Sequence, residues 1–262
     1  MGKKVFLIDV ARCNGCHNCQ VARKDEHCGT SWLPFAAEQP ETGQFWCKIE
    51  EKVRGSVPKT RITYTPHIGG QSDELSRIGG DAVVVREDGL MYIDPEKARG
   101  RKDLCEVPGV FWNEELQIPQ TCTGCAHLLD DGWTCPRCVD SCPTEALRFG
   151  DEEDFAEELK AAKQLDANSR VYYLNLPERF VAGEVYDEEA DEVLIGATVK
   201  LFKGDELVAQ TTTDDFGDFW FKDVKPASYV VKFEQDGYLA GETAADANEV
   251  DVNVGSIALY TA

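Results

Sequence analysis

The stretch Cys13-Asn14-Gly15-Cys16-His17-Asn18-Cys19 places three cysteines at two-residue intervals within one short loop. This spacing is typical of the first three ligands of a bacterial-ferredoxin-type [4Fe–4S] cluster. The apolar run 5–10, directly before the loop, has the length and composition of a β-strand. The loop therefore predicts a ferredoxin-like iron–sulfur domain, with electron transfer as its chemistry.

The fourth ligand of such a cluster comes from a distant part of the chain. In two-cluster ferredoxins, the last cysteine of each motif binds the cluster that the other motif holds. A second cysteine-rich stretch ends in a cysteine followed by proline, Cys142-Pro143. We therefore predict a first cluster, cluster A, with four thiolate ligands: Cys13, Cys16, Cys19 and Cys142.

The second stretch also offers a site for another cluster, here called cluster B. Three of its thiolates would come from Cys122, Cys125 and Cys138. The reciprocal rule places the fourth ligand shortly after Cys19, where the chain has Arg23. Arginine is not a usual iron ligand, so cluster B needs a substitute ligand or is incomplete.

Several alternatives remain open for cluster B. Cys135 is the favoured fourth ligand because Cys135 and Cys138 themselves form a C-x2-C pair. Cys28 could instead reach across, or cluster B could be absent or a three-iron form. The spacing Cys122-x2-Cys125-x9-Cys135-x2-Cys138 also fits a structural zinc site with four thiolates.

The remaining cysteines and histidines receive no metal role in this interpretation. Cys47 follows two aromatic residues and is expected to be a buried, apolar-like side chain. Cys105 is expected to be structural or unpaired. A Rieske-type site needs two histidines on one cluster, so we expect packing or surface roles for all four histidines: His17, His27, His67 and His127.

Composition limits what the chain can do. Its 262 residues, 42% hydrophobic and 29% charged, suit a soluble globular protein of two modest domains. A formal charge of -21 argues against binding nucleic acid or an anionic membrane. The sequence has neither a membrane-spanning apolar run nor a signal-peptide core. We therefore expect a cytoplasmic protein whose eleven cysteines serve metal or redox roles rather than disulfides.

Two domains are predicted, 1–177 and 178–262. The second lacks cysteine and consists of short alternating segments separated by turn residues, which is typical of an antiparallel β-sandwich or barrel. No nucleophilic triad and no phosphate-binding glycine loop occur in the sequence. We therefore expect no catalytic site in this chain.

Local patterns in the first domain predict further elements. An Asp-Gly turn between two apolar runs indicates a hairpin over 82–93. About two turns of helix are expected over 19–27, after the cysteine loop. Apolar spacing indicates an amphipathic helix over 151–167. Residues 29–66 are expected to form an irregular covering segment. A weak internal repeat indicates a degenerate second ferredoxin-like half over about 66–112 that has lost its ligands.

Several of these motifs resemble those of a known family. The segments are Lys24-Asp25-Glu26-His27 after the first loop, Cys122-Thr123-Gly124-Cys125, and Ile93-Asp94-Pro95-Glu96-Lys97-Ala98. They resemble the iron–sulfur subunits of molybdopterin oxidoreductases of the dimethyl sulfoxide reductase superfamily. Within it, the similarity is greatest to the small subunits of pyrogallol–phloroglucinol transhydroxylase. The last strands, including Gly196-Ala197-Thr198-Val199, resemble a transthyretin-like or carboxypeptidase-regulatory-like sandwich.

The resemblance implies an α+β protein: a ferredoxin-like iron–sulfur domain with insertions, followed by an all-β transthyretin-like domain that braces a partner. It implies a large catalytic subunit that holds molybdenum in two pyranopterin guanine dinucleotides and acts on hydroxylated aromatics in anaerobic metabolism. The assembly would be a heterodimer or larger. A resorcinol-type hydroxylase or a catechol dehydroxylase, a subunit whose metals are purely structural, and a free ferredoxin with an adhesive β domain are the alternatives.

The sequence also departs from the family pattern. Family members normally have four cysteine motifs and up to four clusters. Here the second motif would fall near 66–70, which has no cysteine, and Cys105 alone remains of the third. The sequence therefore predicts one or two clusters near the Cys13 loop.

Overall fold

A computed structural model describes residues 2–262, which divide into two compact units. The first unit comprises the chain up to Glu51 together with Tyr64–Leu176. The second comprises Lys52–Thr63 and Pro177–Ala262. The predicted division at 177/178 left residues 52–63 in the first domain, whereas their contacts assign them to the second unit.

The first unit is a mixture of short strands, short helices and turns. Its elements, some shared with the second unit, are β1 (Lys4–Asp9), α1 (Asn18–His27), β2 (Cys47–Ser56), β3 (Lys59–Ile68), α2 (Asp73–Gly79), β4 (Val83–Val85), β5 (Met91–Ile93), β6 (Phe111–Asn113), β7 (Ile118–Gln120), α3 (Ala126–Asp130), α4 (Arg137–Asp140), β8 (Leu147–Asp151), α5 (Ala156–Leu159) and β9 (Val171–Leu174). Short 3-10 turns lie at Val10–Arg12, Gly80–Ala82, Lys102–Glu106 and Glu152–Phe155.

Strand β1 is the centre of the first unit. It pairs antiparallel with β8 and parallel with β9, in the order β8-β1-β9. The side chains of Val5, Phe6, Leu7 and Ile8 are all buried, as expected when both faces of a sheet are covered. The predicted strand 5–10 is thus confirmed with a shift of one residue, and the helix predicted over 19–27 is confirmed as α1.

Two local predictions in the first domain are wrong. Residues 29–66 contain the long hairpin of β2 and β3 rather than an irregular segment throughout. The helix predicted over 151–167 is reduced to the 3-10 turn and α5. Lys163 and Tyr173 exchange backbone hydrogen bonds of 2.9 and 2.8 Å. This pairing draws the chain toward β9, so a tertiary contact overrides the helical pattern.

The hairpin predicted over 82–93 is confirmed. Strands β4 and β5 pair antiparallel, with Val83 opposite Ile93. Gly89 turns the chain with a φ of 83°, a conformation that glycine adopts without a steric penalty. The side chain of Asp88 accepts a hydrogen bond from the N–H of Leu90 at 3.0 Å, which holds the turn.

The second unit is a β-sandwich, as predicted. Its strands are β10 (Arg179–Asp187), β11 (Glu192–Val193), β12 (Thr198–Lys203), β13 (Glu206–Thr212), β14 (Asp218–Val224), β15 (Ser228–Glu234), β16 (Gly241–Asp246) and β17 (Val252–Leu259). One sheet has the order β13-β12-β15-β16, and the other joins β11, β10, β14 and β17. The sandwich is not wholly antiparallel, because β17 runs parallel to β10.

Buried aliphatic and aromatic side chains from both sheets form the core of the sandwich, among them Val199, Phe219, Val231 and Phe233. Alternation along each strand explains this burial, because every second side chain points inward. No helix among residues 2–262 is both long enough and apolar enough to span a lipid bilayer.

Buried ion pairs explain why residues 52–63 belong to the second unit. Arg54 donates two hydrogen bonds to the carboxylate of Asp251, at 2.9 and 2.7 Å, and a third to the carbonyl of Glu178 at 2.6 Å. The Arg54 and Asp251 side chains are only 6% and 5% exposed. Lys59 pairs with Asp218 in the same unit. These contacts attach the tip of the β2–β3 hairpin to the sandwich.

Candidate metal centre

The Cys13–Cys19 loop follows β1 and one 3-10 turn. Within it, Gly15 has a φ of +73°, and a Cβ at this position would lie 2.5 Å from the ring of Tyr64. His17 has a left-handed φ of 61° and immediately precedes α1. The N–H of Cys16 donates to Asn14 Oδ1 at 3.2 Å. The loop is therefore a tight turn whose backbone only glycine fits at position 15.

Strand pairing brings Cys142 to this loop. Ile8 of β1 lies opposite Leu147 of β8. In this antiparallel register, Cys13 follows Ile8 at the same end of the sheet at which Cys142 precedes Leu147. The N–H of Asp9 donates to the carbonyl of Ala146 at 2.8 Å and extends the pairing toward the loop.

The four predicted ligands of cluster A, together called site A, are close enough for three of them to affect the pKa of Cys13. Burial raises the pKa of the Cys13 thiol, and the nearby Cys19, Cys142 and Cys16 raise it further. Cys16 is exposed, whereas Cys13 and Cys142 are partly buried and Cys19 is buried. Four thiols, with Cys13 close enough to the other three for their charges to act on it, are a soft donor set of the kind that a [4Fe–4S] cluster needs.

The three predicted thiol ligands of cluster B, together called site B, lie in the hydrophobic interior. Cys122, Cys125 and Cys138 are all 0% exposed. Cys138 lies on α4, which packs against α1. On α1, Cys19 and Arg23 are one turn apart and therefore lie on the same face of the helix. This packing brings Arg23 to the thiols of the second cysteine stretch.

Arg23 makes direct contact with two of these thiols. Its Nη1 donates to Cys125 Sγ at 2.6 Å, and its Nη2 donates to Cys122 Sγ. The Arg23 side chain is 1% exposed, and its Nε has no hydrogen-bond partner. The guanidinium group thus lies against the sulfurs of Cys122 and Cys125. In this arrangement, site B does not fit a [4Fe–4S] cubane.

The thiols around Arg23 differ in their acidity. Burial opposes the charge of Arg23, but Cys122, Cys125 and Cys138 hold its pKa above the usual range. A hydrogen bond from the Cys47 thiol lowers the pKa of Cys138 to about 7. Burial raises the pKa of Cys125 to about 12, although the positive charge of Arg23 opposes this shift. Cys138 is therefore the thiol most readily ionised beside the guanidinium.

Cys47 is a residue that the sequence did not connect with either site. It is the first residue of β2 and is fully buried. Its thiol lies beside those of Cys138 and Cys19, and these two neighbours together with burial raise the pKa of Cys47. Burial was expected from its aromatic neighbours, but contact with the two cysteine groups was not. No motif spacing marks Cys47, because strand β2 delivers it from an insertion.

Two other cysteines are the predicted substitutes for the fourth ligand of cluster B. Cys135 is partly buried, and Asp140 and Cys138 are the charged groups that act on it. Cys28 follows the end of α1 and pairs with Gln39. Neither Cys135 nor Cys28 forms a hydrogen bond with Arg23. A role of either residue as the fourth ligand of cluster B stays a prediction.

A single-ion site receives no support from this arrangement. Within the described residues 2–262, no group of three or more His, Cys, Asp or Glu side chains is placed to hold one metal ion. Tetrahedral zinc needs four ligands around a single point. The zinc alternative for the second cysteine stretch stays a prediction.

Two histidines pack beside Arg23. His27 is fully buried, and both of its ring nitrogens lack hydrogen-bond partners. Its ring lies 4.7 Å from that of Trp46. His127 stacks on Trp32 at 4.4 Å, and its Nε2 is 3.1 Å from Glu26 Oε1. These aromatic contacts fill the interior between α1 and α3.

The predicted degenerate half, 66–112, is closed by backbone contact. A Cβ at Gly69 would lie 2.6 Å from the Cα of Gly109. Leu75, Met91 and Leu104 form a separate buried core there, against which Cys105 packs. Packing of apolar side chains therefore accounts for the stability of this half.

Comparisons with known proteins agree with this architecture. Residues 181–259 match the carboxypeptidase regulatory-like domain, and residues 73–152 match the 4Fe-4S dicluster domain. Over 99% of its length, the chain is 35% identical to the pyrogallol hydroxytransferase small subunit of Pelobacter acidigallici, and the alignment covers 100% of that protein. This protein belongs to that family of iron–sulfur small subunits. The resemblance to the iron–sulfur subunits of molybdopterin enzymes is thereby confirmed, with electron transfer as their role.

More distant relatives have similar architecture in part of the chain. The B component of the tetrathionate reductase of Salmonella typhimurium is 28% identical over 67% of this chain and 74% of its own length. The B component of the anaerobic dimethyl sulfoxide reductase of Escherichia coli is 28% identical over 55% of this chain and 72% of its own. Both relatives are named as the B subunit or B chain of a reductase that has more than one subunit.

Proposed function

We propose that this chain is the electron-transfer subunit of a heteromeric molybdopterin enzyme that acts on hydroxylated aromatics in a transhydroxylase-like reaction. The observation that carries the proposal is the meeting of the Cys13 loop with Cys142, which the β1–β8 register brings about. Four thiols gathered at a sheet end supply the donor set of a [4Fe–4S] cluster. A bound cluster would add one-electron redox chemistry to the chain.

The protein's own residues determine how such a cluster behaves. Cys13, Cys16, Cys19 and Cys142 would hold it, and their thiols must lose protons on binding. Ile8 and Leu147 fix the separation of the two ligand-bearing segments. The exposed position of Cys16 leaves one side of the site at the surface, where an electron donor or acceptor can approach.

The catalytic site is assigned to a separate large subunit. This chain offers no nucleophilic triad and no nucleotide-binding loop. The similar protein from Pelobacter acidigallici is itself named a small subunit of pyrogallol hydroxytransferase. By this analogy, the partner would hold molybdenum in two pyranopterin guanine dinucleotides and bind the aromatic substrate.

The compartment is proposed from cysteine chemistry. Cysteines in iron–sulfur motifs serve as metal ligands rather than as disulfide partners, and such use suits a compartment where glutathione and thioredoxin keep thiols reduced. We therefore assign the subunit to the cytoplasm. The second unit, with its own core, is assigned a bracing role against the large subunit.

Native co-purification tests the proposal. The chain is isolated anaerobically through an affinity tag from its own host, and iron, sulfide and molybdenum are measured in the complex. The expected result is a second, larger polypeptide, molybdenum associated with it, and turnover of trihydroxybenzenes. A chain isolated without partner and without molybdenum would contradict the assignment. Net release of electrons by the complex would instead identify a hydroxylase, and net consumption of electrons a dehydroxylase.

A further inference from the structure

We infer that Arg23 replaces cluster B, so that this subunit carries cluster A as its one cubane. The inference rests on the proposed function and narrows it from a subunit with several redox centres to a subunit with one. The residue at the position of the missing ligand is also the residue that contacts the remaining ligands. Loss of the ligand and filling of the site are thus explained by one substitution.

The contact geometry supports replacement of the cluster rather than simple loss of one ligand. Arg23 Nη1 lies 2.6 Å from Cys125 Sγ, and Nη2 contacts Cys122 Sγ. Sulfur–metal bonds are about 2.3 Å long for zinc, so a metal that approaches either sulfur from the side of Arg23 would need the space that these nitrogens occupy. The two terminal nitrogens of the planar guanidinium each donate to a different sulfur. Arginine binds pairs of acceptors in this bidentate manner.

The interior of the first unit encloses the Arg23 side chain. Its side chain is 1% exposed, and its Nε has no partner even in the present position. Moving aside to admit a cluster would leave its charge buried and unpaired. Cys47, whose thiol contacts Cys138, could complete a cluster only after such a displacement.

The similarity to a dicluster domain does not conflict with this inference. The matched residues are 73–152, so position 23 lies outside the match. The functional consequence is that electrons enter and leave through cluster A, beside the exposed Cys16, without a relay inside this chain.

Restoring the missing ligand tests the inference. The natively purified complex is compared as wild type, Arg23→Cys and Arg23→Lys, with iron and sulfide assigned to the separated small subunit and reduced samples examined by electron paramagnetic resonance. We expect about four irons in wild type and Arg23→Lys, and about eight in Arg23→Cys. We also expect spin–spin broadening in Arg23→Cys alone, because two reduced clusters then interact.

A second variant keeps the test decisive if Arg23→Cys fails to fold. Cys122→Ser in the wild-type background should leave iron per folded chain unchanged, because site B holds none. About eight irons in wild type, or the loss of half of the iron in Cys122→Ser, would overturn the inference. Either result would leave the proposed function intact, since that fails only if cluster A or the molybdenum partner is missing.

Discussion

Arg23 and Cys125 are separated by 102 positions in the sequence, yet Arg23 Nη1 and Cys125 Sγ are 2.6 Å apart. This contact connects α1 to the loop before α3 in the interior of the first unit. A second long-range relationship brings the Cys13 loop and Cys142 to the same end of the β1–β8 pair. The Arg23 guanidinium makes the first contact, whereas the thiols of the Cys13 loop and Cys142 are suited to bind iron.

Cluster A should depend on Cys16 and not on Cys105. Cys16→Ser removes a thiolate from an exposed position, so the loss of iron should not be confounded with a cavity in the core. We expect the iron content of the small subunit to fall by most of its value. Cys105→Ser, which changes a partly buried thiol outside both sites, is the matched control and should retain full iron. Equal iron loss in both variants would contradict the assignment.

Gly15 should be required for the ligand loop, beyond the ordinary cost of a positive φ. Gly15→Ala would place a Cβ 2.5 Å from Tyr64, whereas Gly29 has a similar φ of +69° with nothing within 4 Å. Each alanine should destabilise the protein by roughly 1–2 kcal/mol through backbone strain. Only Gly15→Ala should also lose iron, as measured on the purified variants. Full iron in Gly15→Ala would show that the loop adapts.

The Arg54–Asp251 pair should be essential for the stability of the second unit. Arg54→Ala leaves the buried Asp251 carboxylate uncompensated, and such losses cost about 3–5 kcal/mol. The free energy of unfolding is measured by urea denaturation. Glu242→Ala, which breaks an exposed 3.5 Å pair with Lys232, should cost less than about 1 kcal/mol. Similar effects for the two variants would refute the importance assigned to burial.

Acid sensitivity of the second unit should involve Asp187. Its carboxylate accepts a hydrogen bond from the Tyr238 hydroxyl at 2.6 Å and from the N–H groups of Glu189 and Ala190 at 2.7 and 2.9 Å. The Tyr238 hydrogen bond, followed by these backbone donors, lowers the pKa of Asp187.

Because the pKa of the folded state lies below the unfolded value of about 3.9, this carboxylate stabilises the fold above that pH. The contribution is lost as pH falls through the folded pKa. In Tyr238→Phe, the pKa of Asp187 should rise, as measured by carboxyl NMR titration. The stability difference between wild type and variant should narrow below about pH 4. An unchanged Asp187 pKa would contradict the role given to the hydroxyl.

Local patterns were sufficient to predict much of the architecture. Strand β1, helix α1, the 82–93 hairpin and the C-terminal sandwich follow from apolar spacing and turn residues that act within a few positions. The spacing of Cys13, Cys16 and Cys19 predicts the iron–sulfur chemistry for the same reason. These features need no knowledge of distant contacts.

The remaining features depend on contacts that local patterns do not encode. The 151–167 helix fails because Lys163 pairs with Tyr173, and the 52–63 segment joins the second unit through Arg54 and Asp251. Cys47 lies beside Cys138 and Cys19 because it begins strand β2 of the β2–β3 hairpin. The motif rule marked Arg23 as a missing ligand, but only the packing of α1 against α4 reveals that it contacts the sulfurs.

A reductive titration of the anaerobically purified complex, followed by electron paramagnetic resonance, tests the electron-transfer assignment most directly. Wild type and Cys142→Ser are compared at matched protein concentration. The predicted result is a reducible [4Fe–4S] signal from the small subunit in wild type that is absent from Cys142→Ser. A wild-type subunit without a reducible cluster, or a signal that survives in Cys142→Ser, would contradict the assignment.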